Sequence, residues 1–154
     1  LDEIDESSRT VASTNLALPM QPVHYDLHPH NVLFNGRRLA ALLDFDGLRY
    51  SQRARDISFA MHRFARTCGS KTEKKQDVGV DIRERARAFL KAYNAVNEIN
   101  EKEIAALAVL VQDEALRRIT GNLSGYYLRG DSTWNFDVPK QITMLREGIF
   151  FQSL

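Results

Sequence analysis

One short segment of the sequence concentrates side chains that can do chemistry. Residues 24–46 read HYDLHPHNVLFNGRRLAALLDFD and place carboxylates, amides and imidazoles on either side of a predicted turn. Transfer of a phosphoryl group from ATP needs a carboxylate that orients the attacking hydroxyl and hard oxygen ligands that hold Mg²⁺. Asp26, Asn31 and Asp44 are groups of these kinds. The segment is therefore a candidate site for phosphoryl transfer.

A β-hairpin must bring these groups together. Val32–Phe34 and Leu39–Phe45 are apolar runs separated by Asn35-Gly36, a pair that tolerates the positive φ angles of a type I′ turn. Two short antiparallel strands would return Asp44 toward Asn31, and the sequence therefore predicts one hairpin directly after the His-rich segment.

Apolar residues at helical spacing predict that most of the remaining chain is helical. The stripes consist of Ile57, Ala60, Met61 and Phe64; of Ile82, Ala86, Phe89, Leu90 and Tyr93; of Ile104, Leu107, Ala108, Val111, Ala115 and Ile119; and of Ile142, Leu145 and Ile149. Asn100 with Glu103 predicts a capping box, and Asp137 before Val138-Pro139 can cap the last helix. The predicted fold class is mainly α with a small β-hairpin (α+β).

Three polar stretches predict the domain limits. We expect a tail or linker over residues 1–20, because Leu1 to Thr14 shows little apolar periodicity. Thr67 to Val80 is predicted to be a mobile loop and Gly121 to Trp134 a second loop. One domain over residues 21–154 remains. It comprises a segment with the catalytic and metal loops and the first helix (21–66) and a helical substrate-side subdomain (81–154).

Composition excludes some partners and sites. The 154 residues include 21 basic and 20 acidic side chains, a net charge of +1, so no global field favours nucleic acid or an anionic membrane. Cys68 is the only cysteine, which excludes an internal disulfide and agrees with a reducing compartment. No apolar run approaches the roughly 20 residues of a membrane span. We expect a cytoplasmic protein that binds a small molecule.

The spacing within residues 24–46 resembles the protein-kinase signature. There a His-x-Asp loop is followed by Asn and, across a hairpin, by Asp-Phe-Gly. Here Asp26 and Asn31 are five positions apart, and Asp44 begins Asp-Phe-Asp. The pattern HxDLHPxNVLF with Asp-Phe-Asp is similar to the aminoglycoside phosphotransferase family, which includes choline kinases and kinase-like homoserine kinases. The resemblance covers Pro22 to Arg66 and implies a protein-kinase-like C-terminal lobe.

The resemblance implies a role for each principal residue. Asp26 would be the catalytic base or hydroxyl-orienting carboxylate, and Asn31 and Asp44 would ligate Mg²⁺ that bridges the phosphates of ATP. His28 stands where protein kinases usually place Lys and would approach the phosphate or the acceptor. The implied reaction is ATP-dependent phosphorylation of a small-molecule hydroxyl by a kinase.

Three further residues take supporting roles in this resemblance. His24 would brace the catalytic loop by hydrogen bonding. Asp56, in Arg55-Asp56-Ile57, resembles the acidic residue of the family that bonds the backbone of that loop. Asp46 would add charge near the metal or on the acceptor side.

A complete kinase fold also needs a phosphate-covering loop and a strand lysine paired with a helix glutamate, all before the His-x-Asp loop. Only 23 residues precede His24, and none of these features occurs among them. We therefore expect the N-terminal ATP-binding lobe to be missing from this chain and the chain alone to have little turnover. The uncovered hairpin side would then favour self-association.

Other interpretations remain open at this point. LLDFDGL resembles the first motif of haloacid-dehalogenase-type phosphatases, with Asp44 as nucleophile and Asp46 as acid/base, although Leu48 replaces the usual Thr. A degraded kinase lobe could serve as an interaction module. His24, His28 and His30 could hold zinc.

The arginines of the first helix allow two interpretations. Arg53, Arg55, Arg63 and Arg66 are most simply a solvated face, and the alternative is that some of them meet acidic substrate groups.

Overall fold

Five α-helices and two small antiparallel sheets form the part of the chain that the computed structural model describes, residues 2–13, 17–67, 78–131, 133 and 138–154. The helices are α1 (Asp2–Ser13), α2 (Arg53–Thr67), α3 (Val78–Asn94), α4 (Glu101–Arg129) and α5 (Val138–Phe150). The strands are β1 (Met20–Val23), β2 (Val32–Asn35), β3 (Arg38–Leu42) and β4 (Arg49–Gln52). The mainly α fold with a small hairpin is confirmed. Over these same residues no helix combines the length and apolarity of a transmembrane span.

The long helix α4 is the centre of the core. It packs against α1, α2 and α5, and α3 packs against α2. Fully buried apolar side chains come from four helices, among them Met61, Ile82, Leu107, Val111 and Leu145. Burial of this kind contributes roughly 1.5–3 kcal/mol for each side chain. The predicted stripes are therefore largely the core-facing sides of these helices.

The predicted start of α4 is confirmed. The Asn100 side chain accepts from the Glu103 N–H, and the Glu103 side chain accepts from the Asn100 N–H, which together form the capping box. Ile104 is nevertheless 43% exposed, because the buried face of the helix runs through Glu103, Ala106 and Leu107. The apolar stripe predicted from the sequence therefore begins about one helical turn before the first buried apolar residues.

The N-terminal segment corrects the sequence prediction. Instead of a tail, residues Asp2–Ser13 form helix α1, which contacts α4. Its inward face uses Ile4, which packs against the core, and the small buried Ser7. Because a single large apolar side chain does not make a stripe, the pattern did not reveal this face. The domain boundary at residue 20 stays a prediction.

The predicted loop at Gly121 is also wrong. Helix α4 continues through Gly121 and Gly125 to Arg129, and Gly130 ends it with φ of +67°. Each helical glycine costs about 1 kcal/mol relative to alanine. Packing of α4 along α5 outweighs that cost, and Gly125 is buried.

The hairpin is confirmed, but its turn lies one residue later than predicted. Asn35 pairs with Arg38, so the two central residues are Gly36 and Arg37. Gly36 has φ of +61°, and Arg37 is not among the residues with positive φ. A type I′ turn requires positive φ at both positions, so the angles fit a type II′ turn.

Two predictions fall partly outside the described residues. The expected mobile loop at 67–80 contains the end of α2 and the start of α3, and residues 68–77 are not described. Helix α5 begins at Val138 as predicted, whereas its expected cap Asp137 is not described.

The arginines of α2 are not simply solvated. Arg53 binds the fully buried Glu103 of α4 through Nε and Nη2, and Arg55 forms an ion pair with Asp113. Both ion pairs lie where α2 packs against α4, and they join the two helices. The prediction of a solvated face is therefore wrong for Arg53 and Arg55.

Candidate active site

The ribbon of β1 and β4 positions the loop that carries Asp26. The two strands are antiparallel, with Val23 opposite Arg49. Strand β1 ends where the His24 loop begins, and β4 leads directly into α2. As a result, Asp56 in the first turn of α2 lies against the backbone of the loop.

Asp56 holds this loop by two hydrogen bonds. Its Oδ2 accepts from the His24 N–H at 3.0 Å and its Oδ1 from the Tyr25 N–H at 2.8 Å. Tyr25 has φ of +68°, a left-handed conformation that bulky residues rarely adopt and that costs about 1–3 kcal/mol. The guanidinium of Arg49 lies 3.8 Å from the centre of the Tyr25 ring. These contacts stabilise the turn immediately before Asp26.

The Asp26 carboxylate lies between two nitrogen donors. Arg118 Nη2 is 3.4 Å from Oδ1, and His28 Nε2 is 3.5 Å from Oδ2. Arg118 is itself held by Glu114, 2.6 Å from its Nε, and lies 4.8 Å from the centre of the Phe59 ring. The Asp26 side chain is 37% exposed. It is therefore oriented on both sides while remaining accessible to a ligand.

Asn31 closes the same loop. Pro29–Asn31 form a 3₁₀ turn in which the Asn31 N–H donates to the His28 carbonyl at 2.9 Å. The Asn31 side-chain Nδ2 donates to the Asp26 carbonyl at 3.0 Å. Asn31 is buried, and with its amide nitrogen facing the loop its carbonyl oxygen is the atom suited to a cation.

The end of the hairpin is fastened to the same loop. The Leu43 N–H donates to the Asn31 carbonyl at 2.9 Å, and the Leu43 carbonyl lies 2.8 Å from His24 Nε2. His24 Nδ1 in turn accepts from the Asp26 N–H at 3.4 Å. A neutral His24 with its proton on Nε2 satisfies both contacts. The buried His24 therefore connects Asp26 to the residue that precedes Asp44.

Asp44 and Asp46 lie on the turn beyond the hairpin, and both are exposed. Asp44 has φ of +61° and precedes the 3₁₀ turn Phe45–Gly47. A strained backbone conformation persists where neighbouring contacts hold it. Here the preceding residue, Leu43, is held by its N–H bond to the Asn31 carbonyl and by the contact of its carbonyl with His24 Nε2. The structure thus brings the loops of Asp26, Asn31 and Asp44 together, and Asp46 lies on the same exposed turn as Asp44.

The donor set suits Mg²⁺. Among the described residues no group of three or more His, Cys, Asp or Glu forms a closed metal site. Mg²⁺ is commonly bound by one or two carboxylates together with waters and substrate phosphates, rather than by an all-protein cage. An amide oxygen from Asn31 and a carboxylate from Asp44 fit that pattern. The backbone hydrogen bond from the Leu43 N–H to the Asn31 carbonyl brings the two residues to the same place.

His28 is a neutral group in this environment. Burial lowers the pKa of its imidazole, Asp26 opposes that effect, and the charges of Arg63, His30 and Arg118 add to the lowering. Its Nδ1 accepts from the His30 N–H at 3.2 Å, so Nε2 carries the proton toward Asp26. His28 is thus a hydrogen-bond donor rather than a charge at neutral pH.

Gly47 marks the closest approach of the Asp44 turn to the Asp26 loop. A Cβ at this position would lie 2.9 Å from the His24 carbonyl oxygen and 3.9 Å from the Asp26 Cβ. We expect Gly47→Ala to lower the free energy of unfolding by about 1–3 kcal/mol, because a backbone atom cannot move aside independently. Chemical denaturation measures the change. Gly121→Ala at an exposed position is the control, because nothing lies within 4 Å of the added Cβ. This substitution is expected to stabilise the fold by about 0.4–1 kcal/mol. Equal effects of the two substitutions would contradict the close approach at Gly47.

A cavity of about 330 Å³ opens beside Asp26. Its lining includes side chains from the loop, α2, α4 and α5: Asp26, His28, His30, Phe59, His62, Arg63, Arg66, Arg118, Lys140, Gln141 and Met144.

His62, Glu147 and Arg118 were not predicted from the sequence. Phe59, His62, Arg63 and Arg66 follow Asp56 at helical spacing, a signal that could have identified the α2 face. No local pattern points to Arg118, which is 92 residues from Asp26.

Comparisons with known proteins agree with this geometry. The profile of APH, the phosphotransferase enzyme family, matches residues 1–113. A homoserine kinase of Granulibacter bethesdensis is 35% identical over 100 residues, which is 65% of this chain and 28% of that protein. A homoserine kinase of Bradyrhizobium diazoefficiens is 32% identical over 115 residues, 75% of this chain and 32% of that protein. The matched part of the chain thus spans less than a third of these relatives.

The phosphatase interpretation is wrong. It requires an α/β domain after Asp44, whereas β4 is followed, in the part of the chain that the structure describes, by helices α2 to α5. The profile match over residues 1–113 also belongs to a different family. Asp44 is therefore not the nucleophile of such a domain.

Proposed function

Because the chain belongs to the phosphotransferase enzyme family, we propose that it forms the catalytic lobe of a kinase that transfers the γ-phosphate of ATP to a hydroxyl group of a small molecule. The observation that carries this proposal is the connection of three groups through the loop backbone. Asn31 Nδ2 bonds the Asp26 carbonyl, and Leu43, next to Asp44, bonds the Asn31 carbonyl. Phosphoryl transfer depends on such positioning more than on covalent chemistry of the protein.

Each residue has a defined task in this proposal. Asp26 accepts a hydrogen bond from the acceptor hydroxyl and orients it for attack, with Arg118 and His28 fixing the carboxylate. The Asn31 amide oxygen and the Asp44 carboxylate hold Mg²⁺, which when bound neutralises charge on the phosphates of ATP. His28, neutral and protonated on Nε2, donates toward Asp26. His24 and Asp56 keep the loop in place, and exposed Asp46 adds charge beyond the metal ligands.

Homoserine is the first acceptor to test, because the matched relatives from Granulibacter bethesdensis and Bradyrhizobium diazoefficiens are homoserine kinases. Amino alcohols, aminoglycosides and sugars complete the panel.

A kinase also needs a site for the adenine and the outer phosphates of ATP. We propose that a further lobe supplies it and packs against the hairpin side of this chain. The exposed apolar side chains there support this proposal: Leu33, Phe34, Leu39, Leu42, Phe45 and Leu48 are each at least 40% exposed. In the isolated chain the same surface favours self-association.

Mg²⁺-dependent turnover tests the proposed function. The 154-residue chain and a gene product extended upstream would be assayed with ATP on the acceptor panel, with and without Mg²⁺. We expect phosphorylation of an acceptor by the longer protein only, and its loss on removal of Mg²⁺. Turnover that is equal without a divalent cation, or absence of turnover in both proteins, would count against a kinase lobe and favour an interaction module.

A further inference from the structure

The loop that carries Asp26 has no permanent cation of its own. Residues 24–31 contain no Lys or Arg, and an imidazole is not a permanent cation at neutral pH. During phosphoryl transfer, negative charge is spread over the three outer oxygens of the transferring group, and a cation that donates to these oxygens stabilises the transition state. A protein cation for this step would therefore have to come from another element of the fold.

Arg118 of α4 is a permanent cation close to the reacting groups. Its Nη2 lies 3.4 Å from Asp26 Oδ1, and both residues line the same cavity. An acceptor hydroxyl bonded to Asp26 would place the attacked phosphorus within about 7 Å of the carboxylate, because the hydrogen bond spans roughly 2.6–3.2 Å and reacting atoms approach to about 3–3.5 Å. A guanidinium in contact with the same carboxylate is within reach of the phosphoryl oxygens.

Two neighbours fix the orientation of the Arg118 guanidinium. Glu114 Oε1 is 2.6 Å from Arg118 Nε, and the guanidinium carbon lies 4.8 Å from the centre of the ring of buried Phe59. Glu114 offsets part of the positive charge of Arg118. A guanidinium nevertheless has five N–H donors in a planar fork, and the contacts with Glu114 and Asp26 use two of them. The Nη nitrogens therefore retain donors on the side of Asp26.

The contact between Arg118 and Asp26 is long for an ion pair. Charge-assisted N–H···O bonds are usually about 2.7–2.9 Å, whereas this distance is 3.4 Å. The side chains of Arg118 and Asp26 are 36% and 37% exposed, so a ligand can reach both. A small rotation of Arg118 exchanges this weak contact for phosphate oxygens, which arginine binds through two parallel N–H donors.

We propose that Arg118 is a catalytic residue whose Nη nitrogens donate to the oxygens of the transferring phosphoryl group, in addition to orienting Asp26. In this step the bond between the γ-phosphorus and its bridging oxygen breaks and ADP leaves. A bond forms between the phosphorus and the acceptor oxygen, whose proton passes to Asp26. Arg118 stays protonated throughout, and Glu114 and Phe59 are positioning residues. The inference rests on the proposed function and adds to it a cation from α4.

Substitution of Arg118 in the longer gene product tests the proposal. Arg118→Gln is expected to lower kcat by about 10²-fold or more, the usual effect of losing one donor to a developing negative charge. Arg118→Lys keeps the charge without the planar fork and should retain more activity than Arg118→Gln. Exposed Arg117→Gln, at the neighbouring position of α4, is the matched control. A kcat for Arg118→Gln comparable to that of the control would overturn the proposal.

A double substitution distinguishes contact with the phosphoryl group from orientation of Asp26. If Arg118 acted only through Asp26, Arg118→Gln would have no further effect once Asp26→Asn had removed the carboxylate charge. A cation on the phosphoryl group acts independently, so the double variant is expected to react at least about tenfold more slowly than Asp26→Asn alone. Single-turnover transfer of a radiolabelled γ-phosphate measures these low rates. Equal rates for Asp26→Asn and the double variant would reduce Arg118 to a positioning residue and overturn the proposal.

The unsubstituted protein separates this inference from the proposed function. Absence of turnover in the longer gene product itself would contradict the kinase, and the role of Arg118 with it. Turnover that Arg118→Gln leaves unchanged would support the kinase and overturn only the role of Arg118.

Discussion

Asp26→Asn is expected to lower kcat for phosphorylation of the acceptor by about 10²–10⁴-fold, the usual contribution of a positioned general base. The amide keeps the shape of the side chain, so the contact with His28 and the backbone bond from Asn31 can persist. What it loses is the negative charge that accepts the hydroxyl proton and attracts Arg118. Steady-state turnover with Mg²⁺ and ATP, in the longer gene product, measures the effect.

A matched control distinguishes lost chemistry from lost structure. Glu84→Gln removes an exposed carboxylate from α3 and should leave kcat unchanged. The Asp26 variant should retain the same thermal unfolding midpoint within a few degrees, because its side chain is partly exposed. If Asp26→Asn kept more than about a tenth of the activity, the carboxylate would not be the base that we propose.

Glu103→Gln is expected to lower the free energy of unfolding by about 3 kcal/mol or more, the usual cost of removing one partner of a buried ion pair. Glu103 is fully buried and accepts from Arg53 Nε at 2.9 Å and from the Asn100 N–H at 3.1 Å. The glutamine keeps the size of the side chain but leaves the Arg53 charge without its buried counterion. Urea denaturation at neutral pH measures the loss. In the control Glu101→Gln an exposed carboxylate of the same helix turn is removed, with an expected change below about 1 kcal/mol.

The effect of Glu103→Gln should depend on pH. Burial raises the pKa of the Glu103 carboxyl, but the hydrogen bonds from Arg53 and the Asn100 N–H outweigh it and hold the pKa below the ordinary value of 4.5. A carboxyl with a lowered folded-state pKa stabilises the fold above the unfolded pKa, and this stabilisation is lost as pH falls through the folded pKa. The difference between variant and native protein should therefore be full at pH 7 and shrink below about pH 4.5. A difference that stayed constant down to pH 3 would contradict a lowered pKa.

The amino-acid sequence determined the local parts of this site. Asp26 and Asn31 lie on one short loop, and Leu43 and Asp44 return to it through a hairpin, because residue spacing, a proline and a glycine turn act over a few positions. The sequence pattern missed the turn by one residue, since only Gly36 takes positive φ and strand pairing, not the Asn-Gly dipeptide, sets the register. Periodicity predicted the core faces of α2 to α5 for the same local reason.

Only the tertiary structure decided which distant groups reach the site. Arg118 meets Asp26 across 92 residues, and Glu147 meets His62 across 85, where α4 and α5 pack beside α2. The helix at Asp2–Ser13 and the continuation of α4 past Gly121 likewise depend on packing. Helix propensity opposes a helix through Gly121, and the apolar pattern of residues 2–13 does not reveal α1. Spacing in a sequence specifies which side chains share a local loop or helix face. Contacts between faces arise only when burial of apolar surface brings separate helices together, and the cavity beside Asp26 is the product of those contacts.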